Sequence, residues 1–171
     1  MAVVPLKSKS VALDTSVMMD LAAEDEDAAQ AVKVIGVRLK GTKIIITPTV
    51  IQELAYLSES ENEEVRDLAT LALRDARARW GISPTNCDPQ WHGVIELAAK
   101  DLRDRDIIPY DEVSDALIVA EAGLAQCSML LSSDGHIFNA NNTKINEVLF
   151  ARDLGTILIS TPWKIAKQFS P

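Results

Sequence analysis

The sequence predicts an α/β protein with a mostly parallel sheet, and three observations lead to that prediction. Short runs rich in β-branched residues alternate with longer stretches of helical periodicity, which is typical of strands joined by crossover helices. The length of 171 residues fits one domain. The composition, with 47% hydrophobic and 25% charged residues, is ordinary for a globular chain with a hydrophobic core.

The first elements are predicted from apolar runs and from residues that start or stop helices. A β-branched run begins at Lys43, and Gly41 supplies a stop for the helix before it. Thr47 is expected to be an N-cap and Pro48 a first-turn proline, so a helix should follow that strand at once. The first five predicted elements are strand 8–13, helix 16–23, helix 28–40, strand 43–47 and helix 48–57.

The rest of the chain is predicted to be richer in helix. Segment 58–110 is expected to be entirely helical apart from a turn-rich break at 84–89, and to form a helical elaboration within a single domain, 1–171. Ser114 or Asp111 is expected to cap the apolar helix that follows. The predicted elements after residue 57 are helices 61–80, 91–103 and 114–125, strand 129–132, a polar loop at 139–143, helix 145–154, strand 157–160 and a helix from Pro162.

Charge and composition exclude several classes of protein. The net charge of -8 argues against a protein that coats nucleic acid through its overall charge, although it does not exclude a nuclease with bound cations. No apolar run approaches the roughly 18 residues that cross a bilayer, and residues 1–13 are not expected to be a signal peptide. Cys87 and Cys127 are far apart and are expected to be idle thiols in a reducing compartment. We expect a cytoplasmic protein without a membrane partner.

Two acidic residues directly follow predicted strands. Asp14 comes after the apolar run that ends at Leu13, and Asp134 comes three residues after Leu131. Ligands of parallel α/β sheets bind at the carboxyl ends of the strands. We therefore expect these two carboxylates to share one crevice.

Two further acidic residues lie on apolar helix faces. Glu53 shares a face with Val50 and Leu57, and Asp115 opens a helix whose following turns are apolar. A buried carboxylate must be paired, neutralised or bound to a cation. A cluster of four carboxylates offers hard oxygen ligands, which suit Mg²⁺ or Mn²⁺, and neither histidine is expected to join that ligand set.

Each of these acids also has a purely structural interpretation. Asp14 has the residue type and position of a helix cap, and Asp134 precedes a glycine as turn-forming residues do. Glu53 has an arginine such as Arg74 as a possible ion-pair partner, and Asp115 suits the positive end of a helix dipole. The histidine beside Asp134 is expected to be a solvated loop residue. These alternatives stay open at the level of sequence.

Five motifs occur in order along nearly the whole chain, and the ordered set resembles the PIN-domain ribonucleases. The motifs are Leu13-Asp14-Thr15-Ser16, Thr47-Pro48 with Glu53-Leu54, Ser114-Asp115-Ala116-Leu117-Ile118-Val119-Ala120, Leu131-Ser132-Ser133-Asp134 with Phe138, and Ile159-Ser160-Thr161-Pro162-Trp163. The resemblance implies a three-layer α/β/α sandwich with a Mg²⁺- or Mn²⁺-dependent nuclease site. The acids of that site would be Asp14, Glu53, Asp115 and Asp134, supported by the hydroxyls of Thr15, Ser16 and Ser132.

The family also implies partners, and this chain departs from its pattern at one position. Members commonly cleave single-stranded or loop RNA, and many small members are dimeric toxins inhibited by an antitoxin protein. Several carry a further acid just before the aromatic that matches Phe138, where this chain has Ile137. Two alternatives follow: the metal site is leaner, or Asp111, one helical turn before Asp115, substitutes for the missing acid. The middle helical segment looks longer than that of the compact toxins.

The combined hypothesis is a divalent-metal-dependent endoribonuclease that hydrolyses phosphodiester bonds. The alternative is a catalytically idle PIN-like module that binds RNA or protein. A third interpretation, phosphoryl transfer with Asp14 as nucleophile, is disfavoured because such hydrolases usually place a second aspartate where this chain has Ser16.

Overall fold

A computed structural model describes residues 9–169, and Ser8, the expected first residue of the first strand, lies outside them with the rest of residues 1–8. Within the described part, five parallel strands form one sheet in the order β3-β2-β1-β4-β5. The strands are β1 (Ser10–Leu13), β2 (Lys43–Ile46), β3 (Ile82–Pro84), β4 (Met129–Leu131) and β5 (Leu158–Ser160). The predicted α/β class with its parallel sheet is confirmed.

Helices cover both faces of the sheet and make a three-layer sandwich. A 3-10 turn at Pro89–Trp91 precedes the fifth helix. The α-helices of the described residues are α1 (Thr15–Ala22), α2 (Glu26–Arg38), α3 (Pro48–Leu57), α4 (Glu63–Trp80), α5 (His92–Asp104), α6 (Val113–Leu124), α7 (Gly135–Phe138), α8 (Asn142–Ala151) and α9 (Pro162–Gln168).

The core lies between the central strands and the helices on each face. Strands β1 and β4 are almost completely buried, as expected for a parallel sheet covered on both sides. Helix α5 packs against α6 and α8, α2 packs against α9, and α4 packs against α1 and α3. The carboxyl ends of β1, β2 and β4 lie at the same end of the sheet, and the first turns of α1, α3 and α7 follow them there.

The middle segment is not entirely helical, because it contains the edge strand β3. Ile82 pairs with Ile44 of β2, and Pro84 pairs with Ile46. The prediction placed Pro84 in a turn-rich break. Proline cannot donate to a sheet ladder, but an edge strand tolerates it. The preceding helix ends at Gly81, whose φ of 65° is the left-handed conformation that glycine adopts readily.

The starts of two helices also differ from prediction, and one short helix was not predicted. Helix α6 is preceded by Glu112, whose side chain makes no capping bond, so neither Ser114 nor Asp111 is its cap. Helix α8 begins inside the expected polar loop, since Asn141 accepts a hydrogen bond from the backbone N–H of Lys144 over 3.1 Å. The four-residue helix α7 was not predicted at all. Among residues 9–169, no helix has the length and apolar character needed to cross a membrane.

Candidate metal centre

Asp14 lies between the carboxyl end of the central strand β1 and the start of α1. Its backbone N–H donates to the carbonyl oxygen of Leu131 over 3.0 Å, which continues the pairing of β1 with β4. Its Oδ1 accepts from the N–H of Thr15 over 2.7 Å. Its Oδ2 accepts from the hydroxyl of Ser16 over 2.9 Å and from that of Ser132 over 2.6 Å. Asp14 is therefore both a helix cap and a buried carboxylate held in one orientation.

Burial raises the pKa of Asp14, the three hydrogen bonds lower it, and the nearby charge of Glu53 raises it again. The net effect is a raised pKa, because only 2% of the residue is exposed and removal from water is the largest influence. A cation beside this carboxylate would stabilise its charged form.

Glu53 is half-buried on α3 and faces α1. The hydroxyl of Thr15 donates to its Oε2, so two predicted site residues meet directly. The ion pair with Arg74 that sequence left open is not formed, since Arg74 donates to Asp75 over 2.7 Å instead.

The start of α3 is held by a buried carboxylate from another helix. Thr47 occupies the N-cap position but makes no capping bond with its side chain. Glu121 of α6 instead accepts from the backbone N–H of Thr49 over 3.1 Å and from its hydroxyl over 2.8 Å. The orientation of α3, and with it the position of Glu53, therefore depends on a contact between residues 72 positions apart.

Asp115 is the least satisfied acid of the site. It is buried in the first turn of α6, and its Oδ2 accepts no hydrogen bond from any residue in 9–169. Burial and the charges of Asp14, Asp134, Glu112 and Glu53 raise the pKa of Asp115 from its ordinary value to about 7. The charges of the other three predicted acids, Asp14, Glu53 and Asp134, thus all act on the Asp115 carboxyl group.

Asp134 is joined to Asp14 through a shared hydroxyl. The Ser132 hydroxyl that donates to Asp14 also accepts from the N–H of Asp134 over 3.0 Å. The Oδ1 of Asp134 in turn accepts from the N–H of His136 over 2.8 Å and so caps α7. The predicted support residue Ser132 is fully buried, and its hydroxyl contacts the carboxylate of Asp14 and the backbone of Asp134.

Sequence reasoning missed two side chains of this centre. The Nδ1 atom of His136 lies 3.2 Å from Glu112 Oε1 and 3.8 Å from Asp115 Oδ2. His136 therefore lies among possible ligand atoms, where neither histidine was expected, because α7 turns it back toward α6. Asp111, expected to supplement the acids, is exposed ahead of α6, and Glu112 contributes the extra carboxylate. Glu112 and Asp115 are three residues apart at a helix start, a spacing that puts two side chains on one face of a helix, and this pattern could have predicted Glu112.

The donor set fits a divalent cation. Possible ligand atoms of Glu112, Asp115 and His136 all lie within 4.8 Å of one another. An unpaired buried carboxylate oxygen is costly unless a positive charge approaches it. Carboxylates of this number suit Mg²⁺ or Mn²⁺, and an imidazole nitrogen adds a ligand that transition ions accept.

Comparison with known proteins supports the fold. A scan against models of protein families found no match, and neither did a search of curated proteins. Among solved structures, the chain is similar to a chain in the crystal structure of VapBC2 from Rickettsia felis bound to a DNA fragment from their promoter. The TM-score is 0.59 and the identity 14%, over 89% of this chain and 98% of the other. This likeness, together with the parallel sheet and its order, shows that the chain has a PIN-type fold.

Proposed function

We propose that this protein is a divalent-metal-dependent endoribonuclease that hydrolyses phosphodiester bonds in single-stranded or loop RNA. The observation that carries the proposal is the buried Oδ2 of Asp115, which accepts no hydrogen bond from residues 9–169 and belongs to a carboxyl group whose pKa is raised by burial and by the charges of other carboxylates. Natural proteins retain such a destabilising arrangement mainly where it has a function.

We assign the four acids two roles, binding of the ion and orientation of the attacking water. Asp14, Asp115 and Asp134 would hold the ion, and Glu53 would bind it or orient the attacking water. The hydroxyls of Ser16 and Ser132 keep the Asp14 carboxylate oriented through bonds of 2.9 and 2.6 Å. The bound ion would supply positive charge to phosphate oxygens and lower the pKa of a water.

The biological setting is proposed from the fold. The VapBC2 structure concerns a toxin–antitoxin complex, so a cytoplasmic toxin with an antitoxin partner is the setting we favour. A homodimer, common among PIN-domain toxins, is part of the same proposal.

Cleavage of a labelled, mixed-sequence single-stranded RNA tests the activity. The protein is assayed with Mn²⁺, with Mg²⁺ and with EDTA, beside Asp14→Asn and the matched control Asp67→Asn, an exposed acid on α4. We expect metal-dependent cleavage that is lost in the first variant and kept in the second. Residual activity within a few-fold of wild type in Asp14→Asn would contradict the site assignment.

The second candidate function is an idle PIN-like module that binds RNA or protein. It is favoured by Ile137, which is fully buried where several PIN domains have another acid. Metal titration separates the two candidates, because an idle module need not bind Mn²⁺. Absence of both cleavage and Mn²⁺ binding would favour the module.

A further inference from the structure

Three side chains from two helix starts converge at the acidic site, and one of them, Asp115, is itself a predicted acid of that site. Glu112 immediately precedes α6, Asp115 lies in its first turn, and His136 lies in α7. One possible ligand atom from each lies within 4.8 Å of the other two. The Nδ1 atom of His136 is also 3.5 Å from Asp134 Oδ1.

An ordinary ion pair does not account for this geometry. A single Nδ1–H can be directed at one acceptor, yet three carboxylate oxygens surround this nitrogen at 3.2, 3.5 and 3.8 Å. The most distant of the three, Asp115 Oδ2, is buried and accepts no hydrogen bond within residues 9–169. The nitrogen therefore leaves the most deeply buried oxygen unsatisfied.

A cation between these atoms would satisfy them together. Ligand atoms that bind one ion at about 2.1 Å lie about 3 to 4 Å from one another. The Nδ1 atom of His136 lies at 3.2 to 3.8 Å from the three carboxylate oxygens. Mg²⁺ strongly prefers oxygen ligands, whereas imidazole suits first-row transition ions. A site with one nitrogen and two or more carboxylates therefore discriminates between these ions.

We propose that Glu112, Asp115 and His136 form a mixed nitrogen–oxygen site that holds a divalent transition ion, with Mn²⁺ as the probe, in preference to Mg²⁺. The inference rests on the metal centre of the proposed function but not on RNA cleavage. The ligands are the carboxylates of Glu112 and Asp115 and a nitrogen of neutral His136, so that binding displaces any proton on that nitrogen.

Pulsed electron paramagnetic resonance of the Mn²⁺-loaded full chain tests the nitrogen ligand directly. We expect a ¹⁴N coupling to the bound Mn²⁺ that changes when the protein carries ¹⁵N-histidine. The coupling should vanish in His136→Asn and persist in His92→Asn, a matched exposed histidine at the start of α5. Bound Mn²⁺ without a nitrogen coupling in the wild-type protein would overturn the proposal, and that spectrum needs no variant to fold.

Calorimetric titration tests the preference between ions. We expect His136→Asn to weaken Mn²⁺ binding about tenfold or more and to change Mg²⁺ binding by less than about threefold. An equal loss for both ions would mean that His136 acts only through the general electrostatics or folding of the site, and would refute the assignment. Glu112→Gln should weaken both ions, because its carboxylate is a ligand for either.

The outcomes also separate this proposal from the ribonuclease proposal. Nitrogen-coupled Mn²⁺ without RNA cleavage would support the site and reject the ribonuclease. RNA cleavage with Mn²⁺ that shows no nitrogen coupling would support the ribonuclease and reject the role of His136. A wild-type protein that binds neither ion would reject both.

Discussion

Replacing Asp115 with Asn should stabilise the metal-free protein. Burial and four neighbouring carboxylates raise the pKa of Asp115 from 3.8 to about 7 in the folded state. A raised folded-state pKa means that ionisation of this group opposes folding. The destabilisation is absent below the unfolded pKa, grows as the pH rises from about 4 to about 7, and is complete above that range. The Asn side chain has a similar shape but no charge, so the variant avoids this destabilisation.

The magnitude follows from the two pKa values. Each pKa unit corresponds to about 1.4 kcal/mol, so the difference between 3.8 and about 7 is worth about 4 kcal/mol at high pH. Burying an amide in place of a carboxyl group offsets part of this, so we expect a gain of about 2–4 kcal/mol. For a chain of this length the corresponding rise in Tm is at least about 4 °C.

Urea and thermal denaturation in EDTA at pH 7.5 and pH 4 measure the effect. We expect the gain of Asp115→Asn over wild type at pH 7.5, and a gain below about 1 kcal/mol at pH 4, where the folded carboxyl is protonated and the unfolded one is close to half protonated. Mn²⁺ at about one hundred times its Kd should stabilise the wild type by about 2.7 kcal/mol and the variant much less. A variant less stable than wild type at pH 7.5, or a gain equal at both pH values, would refute this reasoning. Asp67→Asn, an exposed acid, is the control.

Four further substitutions test contacts and backbone positions that support the site and the fold. Ser132→Ala removes the hydroxyl that donates to Asp14 over 2.6 Å, so Mn²⁺ affinity measured by calorimetry should fall about tenfold; an unchanged affinity would exclude a positioning role. Glu121→Ala leaves the two buried hydrogen-bond donors of Thr49 without their acceptor and should lower the free energy of unfolding, measured in urea, by about 2–3 kcal/mol. An unchanged free energy of unfolding would contradict a stabilising role for the contact between Glu121 and α3. A Cβ at Gly123 would lie 3.0 Å from a backbone oxygen, so Gly123→Ala should destabilise the protein by about 1–3 kcal/mol. A Cβ at Gly36 would have nothing within 4 Å, so Gly36→Ala should stabilise its helix by about 0.5–1 kcal/mol. The two substitutions should therefore shift Tm in opposite directions.

Most strands and helices were predictable because their causes lie within a few residues. Pro48 starts α3 as expected, and the apolar runs around Val11 and Ile45 become the buried central strands. The edge strand β3 was missed because three residues, one of them proline, carry too little pattern to indicate a strand. It exists because β2 offers it a free edge, which is a property of the assembled sheet.

The same division applies to the candidate site. Sequence identified Asp14, Glu53, Asp115 and Asp134, because acids at strand ends and on apolar helix faces are locally recognisable. That the charges of the other three act on Asp115 follows from the order β2-β1-β4, which no local pattern specifies.

The sequence by itself determined the fold class, most element positions and the residue types of an acidic centre. The tertiary structure alone decided which distant groups meet there: the Ser132 hydroxyl with Asp14, 118 positions away, the Glu121 carboxylate with α3, and His136 with Glu112. Local hydrogen bonds and apolar periodicity act over a few residues, whereas these contacts depend on how whole strands and helices pack.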